Sequence, residues 1–475
     1  MDRRLLVRRL LKDLAAYWID LIRTTLRAWN TFFFTPADPT PLGVIRVGVG
    51  LLALWNLIVY GMDLSAFLGP EGWGEPNAVA QALAERSPMA WSFWLWLPAG
   101  LLRPVWAACL VVVALFTVGL FSRVTAVLTW LIVVATARRA IMANFGFDQM
   151  LSCLTFYLMV TGASGQAVAL DRFLDRWRHA RSELRRRRRD GKPIVPPGAP
   201  APSVTANLGL RLIQLHFCLI YGMAGLSKLQ GRAWWAGDAA WLVAATGEFR
   251  RFDLTWLALY PDLLNLATHL TILVEVGFPV LVWVRVVRPL LLVAITAMHF
   301  VIDLMLGLTE FGLAMITGLI AFASGPWLRS LVAGRGGPAG TVYYDGACSR
   351  CRASVALVAA ADPDRIIEPI DLTAVEPGAL PAGLSREGCL RALHLVRADG
   401  RIVSGYDAMI TLMRWLPLFW PLGVLGALPG VTWIGRRVYN QLAVTRPRDP
   451  DAATCPLPTA PRPRDAGFTA EPTRH

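Results

Sequence analysis

A multi-pass, mainly α-helical membrane bundle of about eight spans, followed by a small C-terminal α/β domain, is the fold class this sequence predicts. Three observations carry that reading. Hydrophobic residues fill 55% of the 475 positions and charged residues only 17%, against about 25% charged in soluble domains. Apolar stretches recur that approach the roughly 20 residues needed to cross about 30 Å of hydrocarbon. After Gly325 the pattern changes to TVYYDGACSRC, in which a β-branched and aromatic run leads through a turn into a helical pattern.

Taken in order, residues 1–40 place Arg4, Arg8, Lys12, Arg23 and Arg27 among Leu6, Leu10, Leu14, Trp18 and Leu21 at helical spacing. No uninterrupted apolar core or small-residue cleavage site marks a cleavable signal. The stretch is expected to be a basic amphipathic helix on the cytoplasmic leaflet.

Residues 41–324 form the membrane domain. Its expected spans are Leu42–Tyr60, Leu101–Phe121, Val124–Ala137, Phe147–Thr161, Leu208–Leu226, Leu263–Val284, Pro289–Leu306 and Glu310–Ala323. Between the fourth and fifth lies a basic, proline-rich linker at 171–203, containing Arg185 to Arg189. The turn at Ser122–Arg123, this linker and the turn at Arg285 and Arg288 mark the cytoplasmic side by the positive-inside rule. An even number of spans returns the chain to that side. Both termini are therefore expected in the cytoplasm, and the location is a bacterial-type inner (plasma) membrane.

Residues 325–340 read as a flexible linker through VAGRGGPAG. The domain at 341–446 reads as a strand at Thr341–Tyr344, a helix at Arg352–Ala361 and a strand near Ile366–Ile370. A hairpin follows from ALHLV to RIVSG around Asp399–Gly400, and then aromatic-rich helical sequence. The polar stretch 447–475 is expected to be a disordered tail.

The 47 basic against 33 acidic residues give a net charge of +14. In a membrane protein such a balance sets orientation and contact with anionic lipid. No aromatic or motif support accompanies the arginine run, so nucleic acid is not an expected partner. Of the seven cysteines, only Cys348 and Cys351 are spaced for joint chemistry, which excludes a secreted disulfide scaffold.

In YYDGACSRC a strand delivers Cys348 into a turn and Cys351 starts a helix. Backbone N–H groups and the positive helix end then stabilise a thiolate at Cys348. Asp345, just upstream, is placed to modulate proton transfer. Three readings fit the pair: a redox dithiol, half of a zinc site, and two idle thiols. No second CxxC or nearby histidine pair completes four zinc ligands, and no metal is expected. The sequence DGACSRC resembles the DxxCxxC signature of the DCC family, thiol-disulfide oxidoreductases related to thioredoxin. The likeness extends over Thr341 to Arg446, through SGYDAMITLMRWL to YNQLAVTR. It implies a thioredoxin-like fold, Cys348 as the attacking thiol, Cys351 as the resolving one, Asp345 beside them, and a thiol redox partner. Cys455, in the tail, has no matched role.

The run YGMAGLSKLQGRAWW, from Tyr221 to Trp235, raises a second question, because it places Lys228 at the end of an apolar span. Lysines at helix ends snorkel to headgroups, and Trp234, Trp235 and Trp241 would form an aromatic belt. Alternatively, a partly desolvated lysine loses proton affinity and acts as a base. Small residues (Ala224, Gly225, Ser227) allow close helix packing here. His216, His269, Glu275, His299 and Asp303 are further ionisable groups within apolar spans, where such groups usually face a bundle interior. Both readings remain open on these residues.

The stretch AGLSKLQGRAWWAGDA resembles the A-G-x-x-K-L…W…G motif of the HTTM domain, shared with vitamin K-dependent γ-glutamyl carboxylases. The resemblance covers about Pro41 to Ser324, with LGVIRVGVGLL, GLFSRVTAVL and FDQMLSCLTFYLMVTGASGQAVALDRF. It implies Lys228 as the base acting on a reduced quinone, a menaquinol or vitamin K hydroquinone-like cofactor. Trp234, Trp235, His216, His299 and Asp148 are the candidate substrate-binding residues. Two departures separate this chain from the carboxylases. Asp148 in FDQML stands where they carry a histidine, and a dithiol domain replaces their large extracytoplasmic region.

The resulting expectation is a membrane redox enzyme acting on a quinone or lipid-like substrate, with membrane lipids, a quinone and a thiol partner as its contacts. On the expected topology Lys228 faces outward and the cysteines inward, leaving a diffusing quinone or conformational coupling to connect them. The alternative is a non-catalytic lipid-binding or transport module gated by a cytoplasmic thiol switch.

Overall fold

Apolar runs of the lengths read above satisfy their backbone groups internally only as helices, and all eight are helical in the computed structural model. It describes residues 3–86, 91–190, 198–247, 251–333, 339–376, 380–416 and 418–445. Two units divide the chain: Met1–Phe173 with Pro200–Arg329, and Leu174–Ala199 with Ser330–His475.

The first unit is helical. Helix α1 (Arg3–Phe34) is followed by α2 (Thr40–Met62), α3 (Ala99–Val118), α4 (Ser122–Arg139) and α5 (Gly146–Thr161). Helix α6 (Leu170–Asp190) starts in this unit and continues in the second. Then come α7 (Val204–Lys228), α8 (Pro261–Leu281), α9 (Arg288–Leu306), α10 (Thr309–Leu319) and α11 (Gly325–Ala333).

The span count is corrected downward. Among the described residues, five helices are long and apolar enough to cross a membrane: α2, α3, α7, α8 and α9. A sixth span arises only if Thr309–Phe322 and Gly325–Leu331, bent by 119°, act together. Helix α4 carries Arg123, Arg138 and Arg139, and α5 has 16 residues, about 24 Å at 1.5 Å per residue. The parity argument that put both termini on one side loses its basis, because five and six spans give opposite answers.

Three sequence stretches singled out above converge in one hydrogen-bonded knot. Arg46, fully buried on α2, donates to Ser164 O at 2.7 Å and Val168 O at 2.6 Å. Asp171 accepts from Phe121 N at 2.9 Å and from Ser122 N and Oγ, each at 2.8 Å. Phe121 has φ +49°, a left-handed conformation rare outside glycine, and the hydrogen bond to Asp171 fixes it. Around the knot Leu42, Ile45, Phe116, Phe147, Phe217 and Phe278 form a continuous apolar core.

The second unit is a four-stranded mixed sheet with helices. Strands β1 (Gly340–Tyr344), β2 (Ile367–Asp371), β3 (His394–Arg397) and β4 (Ile402–Ser404) lie in the order β2-β1-β3-β4. β1 pairs parallel with β2 and antiparallel with β3, and β3 pairs antiparallel with β4. Helix α12 (Ser349–Ala361) connects the parallel pair; α13 (Gly405–Trp415), α14 (Trp420–Gly426) and α15 (Pro429–Val444) follow the hairpin. The strands and helix expected here are found within one to three residues of their expected ends, in an arrangement consistent with a thioredoxin-like domain.

Two expected linkers contain helix. Residues 170–190 form α6, whose Trp177 and Ala180 pack on Ala356 and Ala359 of α12. Arg176 adds a 3.2 Å hydrogen bond to Ala359 O. Residues 325–333 form α11. Cys455, Arg446 and the tail 447–475 lie outside the described residues, as do the side chains of Arg185–Arg189.

Candidate functional site

The dithiol sits where a strand end, a turn and a helix start meet. β1 ends at Tyr344 and hands the chain to Asp345, whose carboxylate accepts Ala347 N–H at 3.0 Å. Its carbonyl accepts Cys348 N–H at 3.2 Å. That turn places Cys348 at the N-cap of α12, with Sγ accepting the Cys351 N–H at 3.4 Å. A cap side chain normally satisfies one of the orphan amides of a first helical turn; here a sulfur does so.

This environment lowers the Cys348 thiol to about 6. The largest cause is a hydrogen bond from the Cys351 side chain; the Cys351 and Arg350 amides add to it. Burial and the Asp345 charge oppose the shift. Each of the favourable contacts stabilises the anion over the thiol. Cys389, by contrast, is buried without such donors and burial raises its thiol, the signature of an inert cysteine.

Accessibility divides the pair. Cys348 is fully buried and Cys351 partly exposed. Cys351 opens onto a cleft of about 340 Å³ walled by Tyr344, Val355, Met409, Met413, Phe419 and Tyr439 among others. The Tyr439 hydroxyl is held in place by accepting Leu393 N–H at 2.9 Å, which gives the first residue of YNQLAVTR a structural reason. The lining is almost wholly apolar, so the cleft favours a hydrophobic ligand over an ionic one.

The second group lies in the first unit. Lys228, ending α7, donates to Glu275 Oε1 of α8 at 3.0 Å and stands 2.7 Å from Oε2. Its side chain is 22% exposed and that of Glu275 6%. The approach depends on Gly225, where a Cβ would lie 2.8 Å from Val276 N. Trp234 sets its ring 5.3 Å from the Lys228 ammonium, within cation–π range. Nearby on the same three-helix interface, Tyr221 OH shares a 2.8 Å hydrogen bond with His299 Nε2. His299 is buried, and its Nδ1 has no partner among the described residues.

Other expected site residues lie apart. His216 pairs through Nδ1 with Tyr157 OH at 2.7 Å. Asp148 accepts Phe145 N–H at 3.1 Å as the N3 residue of α5, a capping role. Trp235 points an exposed ring outward while its Nε1 bonds Leu229 O at 2.7 Å. The sequence reading missed Glu275 as the partner of Lys228, and Tyr221 and Tyr157 as partners of the histidines. The small-residue run at 224–227 was the signal for a close-packed neighbour. Among the described residues no cluster of three or more His, Cys, Asp or Glu is arranged to hold a metal.

Residues 342–450 match a family model described as DCC1-like thiol-disulfide oxidoreductase. No curated protein and no solved structure matches the chain significantly. The matched segment contains the whole dithiol site, and it supports a redox role for the C-terminal domain.

Proposed function

We propose that this chain is an integral membrane redox enzyme whose Cys348/Cys351 pair exchanges two electrons and two protons with a quinone or other lipid-like substrate. The observation that carries this reading is a thiol lowered to about 6 whose partner sulfur opens on an apolar cleft. Oxidation joins the two sulfurs in a disulfide and releases two electrons and two protons. A quinone takes up both and becomes a hydroquinone; a reduced dithiol partner then gives two electrons and two protons to the Cys348–Cys351 disulfide, restoring the dithiol and itself becoming a disulfide.

In the membrane unit Lys228 is the proton-handling group, as the resemblance to carboxylases implies. Its pairing with Glu275 changes the form of that role. The two side chains stand 2.7 Å apart and act as a dyad across which a proton is held. The dyad equally suits the lipid-handling alternative, in which a neutralised pair secures a transport path.

Naphthohydroquinone oxidation by the purified protein in lipid nanodiscs tests the proposal. The comparison is wild type, Lys228→Ala and Cys348→Ser, with a glutamate peptide and labelled bicarbonate. Turnover lost in Lys228→Ala supports chemistry in the membrane unit, and label in the peptide makes it carboxylation. Copurifying lipid with no turnover in any variant transfers the assignment to the lipid-handling module.

A further inference from the structure

Helices α14 and α15 leave an apolar face without a partner in their own unit. Leu422 and Leu425 on α14, and Val431, Ile434, Val438 and Leu442 on α15, are all exposed. The four α15 residues fall at helical spacing on one stripe. The packed side of α15 is the one with Thr432, Gly435, Tyr439 and Ala443, which are half-buried, while Arg436, Arg437 and Asn440 are exposed. Tyr439 reaches Leu393, Arg436 pairs with Asp407 at 2.9 Å, and a Cβ at Gly435 would strike the Tyr406 ring.

What covers the stripe is indicated by its margins. Trp420 and Trp433 flank it, both exposed, and the Arg437 guanidinium stacks 3.8 Å from the Trp433 ring centroid. From 418 to 445 the only charged residues are Arg436 and Arg437, with no acidic residue. An apolar stripe bordered by tryptophan and arginine is the composition of a helix lying at a lipid interface. The missing acidic residues suit an anionic surface. Five helices among the described residues of the same chain are long and apolar enough to cross a membrane, so a bilayer is always at hand.

We infer that the α14–α15 face seats in the headgroup region of the bilayer and that the Cys351 cleft is filled from the lipid phase. Leu442 connects the two features, being exposed on the stripe and part of the cleft wall. A lipid-dissolved substrate then meets Cys351 without crossing water. The second clause rests on the function proposed above; the seating of the helices stands without it.

The test is photolabelling of the full chain in nanodiscs made with a diazirine-bearing anionic lipid, followed by peptide mapping. Adducts are expected on Leu422, Leu425, Ile434 and Val438, and none at the Asp399–Gly400 turn. The variant Leu425→Asp/Ile434→Asp, at two exposed positions outside the cleft, should lose adducts by at least tenfold, because two apolar side chains leave the interface and two charges take their place. It should retain its reactivity toward a small soluble disulfide, which reads the dithiol separately. Absence of adducts on α14 and α15, or cross-links from these residues to a second protein copy, overturns the seating in lipid. Loss of disulfide reactivity in wild type would count against the redox assignment alone.

Discussion

Cys351 and Cys348 are bound to each other before any disulfide forms: the amide of Cys351 donates to the sulfur of Cys348 across 3.4 Å. Cys351 therefore lowers the proton affinity of Cys348. Its thiol supplies the largest part of the lowered pKa and its amide another part. The buried sulfur is the anion and the partly exposed sulfur faces the cleft, so chemistry at one is transmitted directly to the other.

Titration of the reduced protein should follow this arrangement. The Cys348 thiolate fraction rises with pH through a midpoint near 6, well below the ordinary thiol range. Cys351→Ala should move that midpoint upward by removing the largest favourable contact, and Cys348→Ser should abolish the phase. The ultraviolet absorbance of the thiolate against pH checks both.

Lys228→Ala strands a carboxylate that is 6% exposed. Breaking a buried pair from one side costs about 3–5 kcal/mol, at the lower end here because Lys228 is partly exposed. Lys228→Ala/Glu275→Gln should recover most of the loss. Thermal unfolding of the two variants in detergent distinguishes a paired dyad from two independent groups.

Gly225→Val should open the α7–α8 contact, since even a Cβ there approaches Val276 N to 2.8 Å. Overpacking of this kind costs about 1–3 kcal/mol. Gly247→Ala, at a site with open space around it, is the matched control.

The Arg46 knot predicts a structural phenotype without a catalytic one. Arg46→Met should lower stability by about 1–3 kcal/mol, because the buried Ser164 carbonyl loses its donor, with a smaller loss at the part-buried Val168 carbonyl. Arg46→Lys should rescue only part, since one ammonium does not reproduce a guanidinium that reaches Ser164 O and Val168 O together.

Much of this was legible in the chain. Hydropathy located the long apolar helices α2 to α5 and α7 to α10, and YYDGACSRC announced its strand, turn and helix because each residue there has a local reason to adopt its conformation. The span count was not legible from apolar runs alone: α4 carries Arg123, Arg138 and Arg139, and α5 has 16 residues, so neither meets the length and apolarity of a candidate span. The 171–203 segment misled through its arginines and prolines, although Trp177 and Ala180 lie three residues apart, on one face. Pairings such as Lys228 with Glu275 or His216 with Tyr157 join positions far apart in sequence. Only tertiary packing fixes which of several buried polar groups becomes the partner.

The most direct test of the central claim is a single-turnover reaction between the reduced full-length protein in nanodiscs and a lipophilic naphthoquinone. The account predicts one hydroquinone formed for each Cys348–Cys351 disulfide, with Cys389 still a thiol, and no reaction in Cys348→Ser. Disulfide-free protein after exposure to the quinone, or equal quinone reduction by Cys348→Ser, would contradict it.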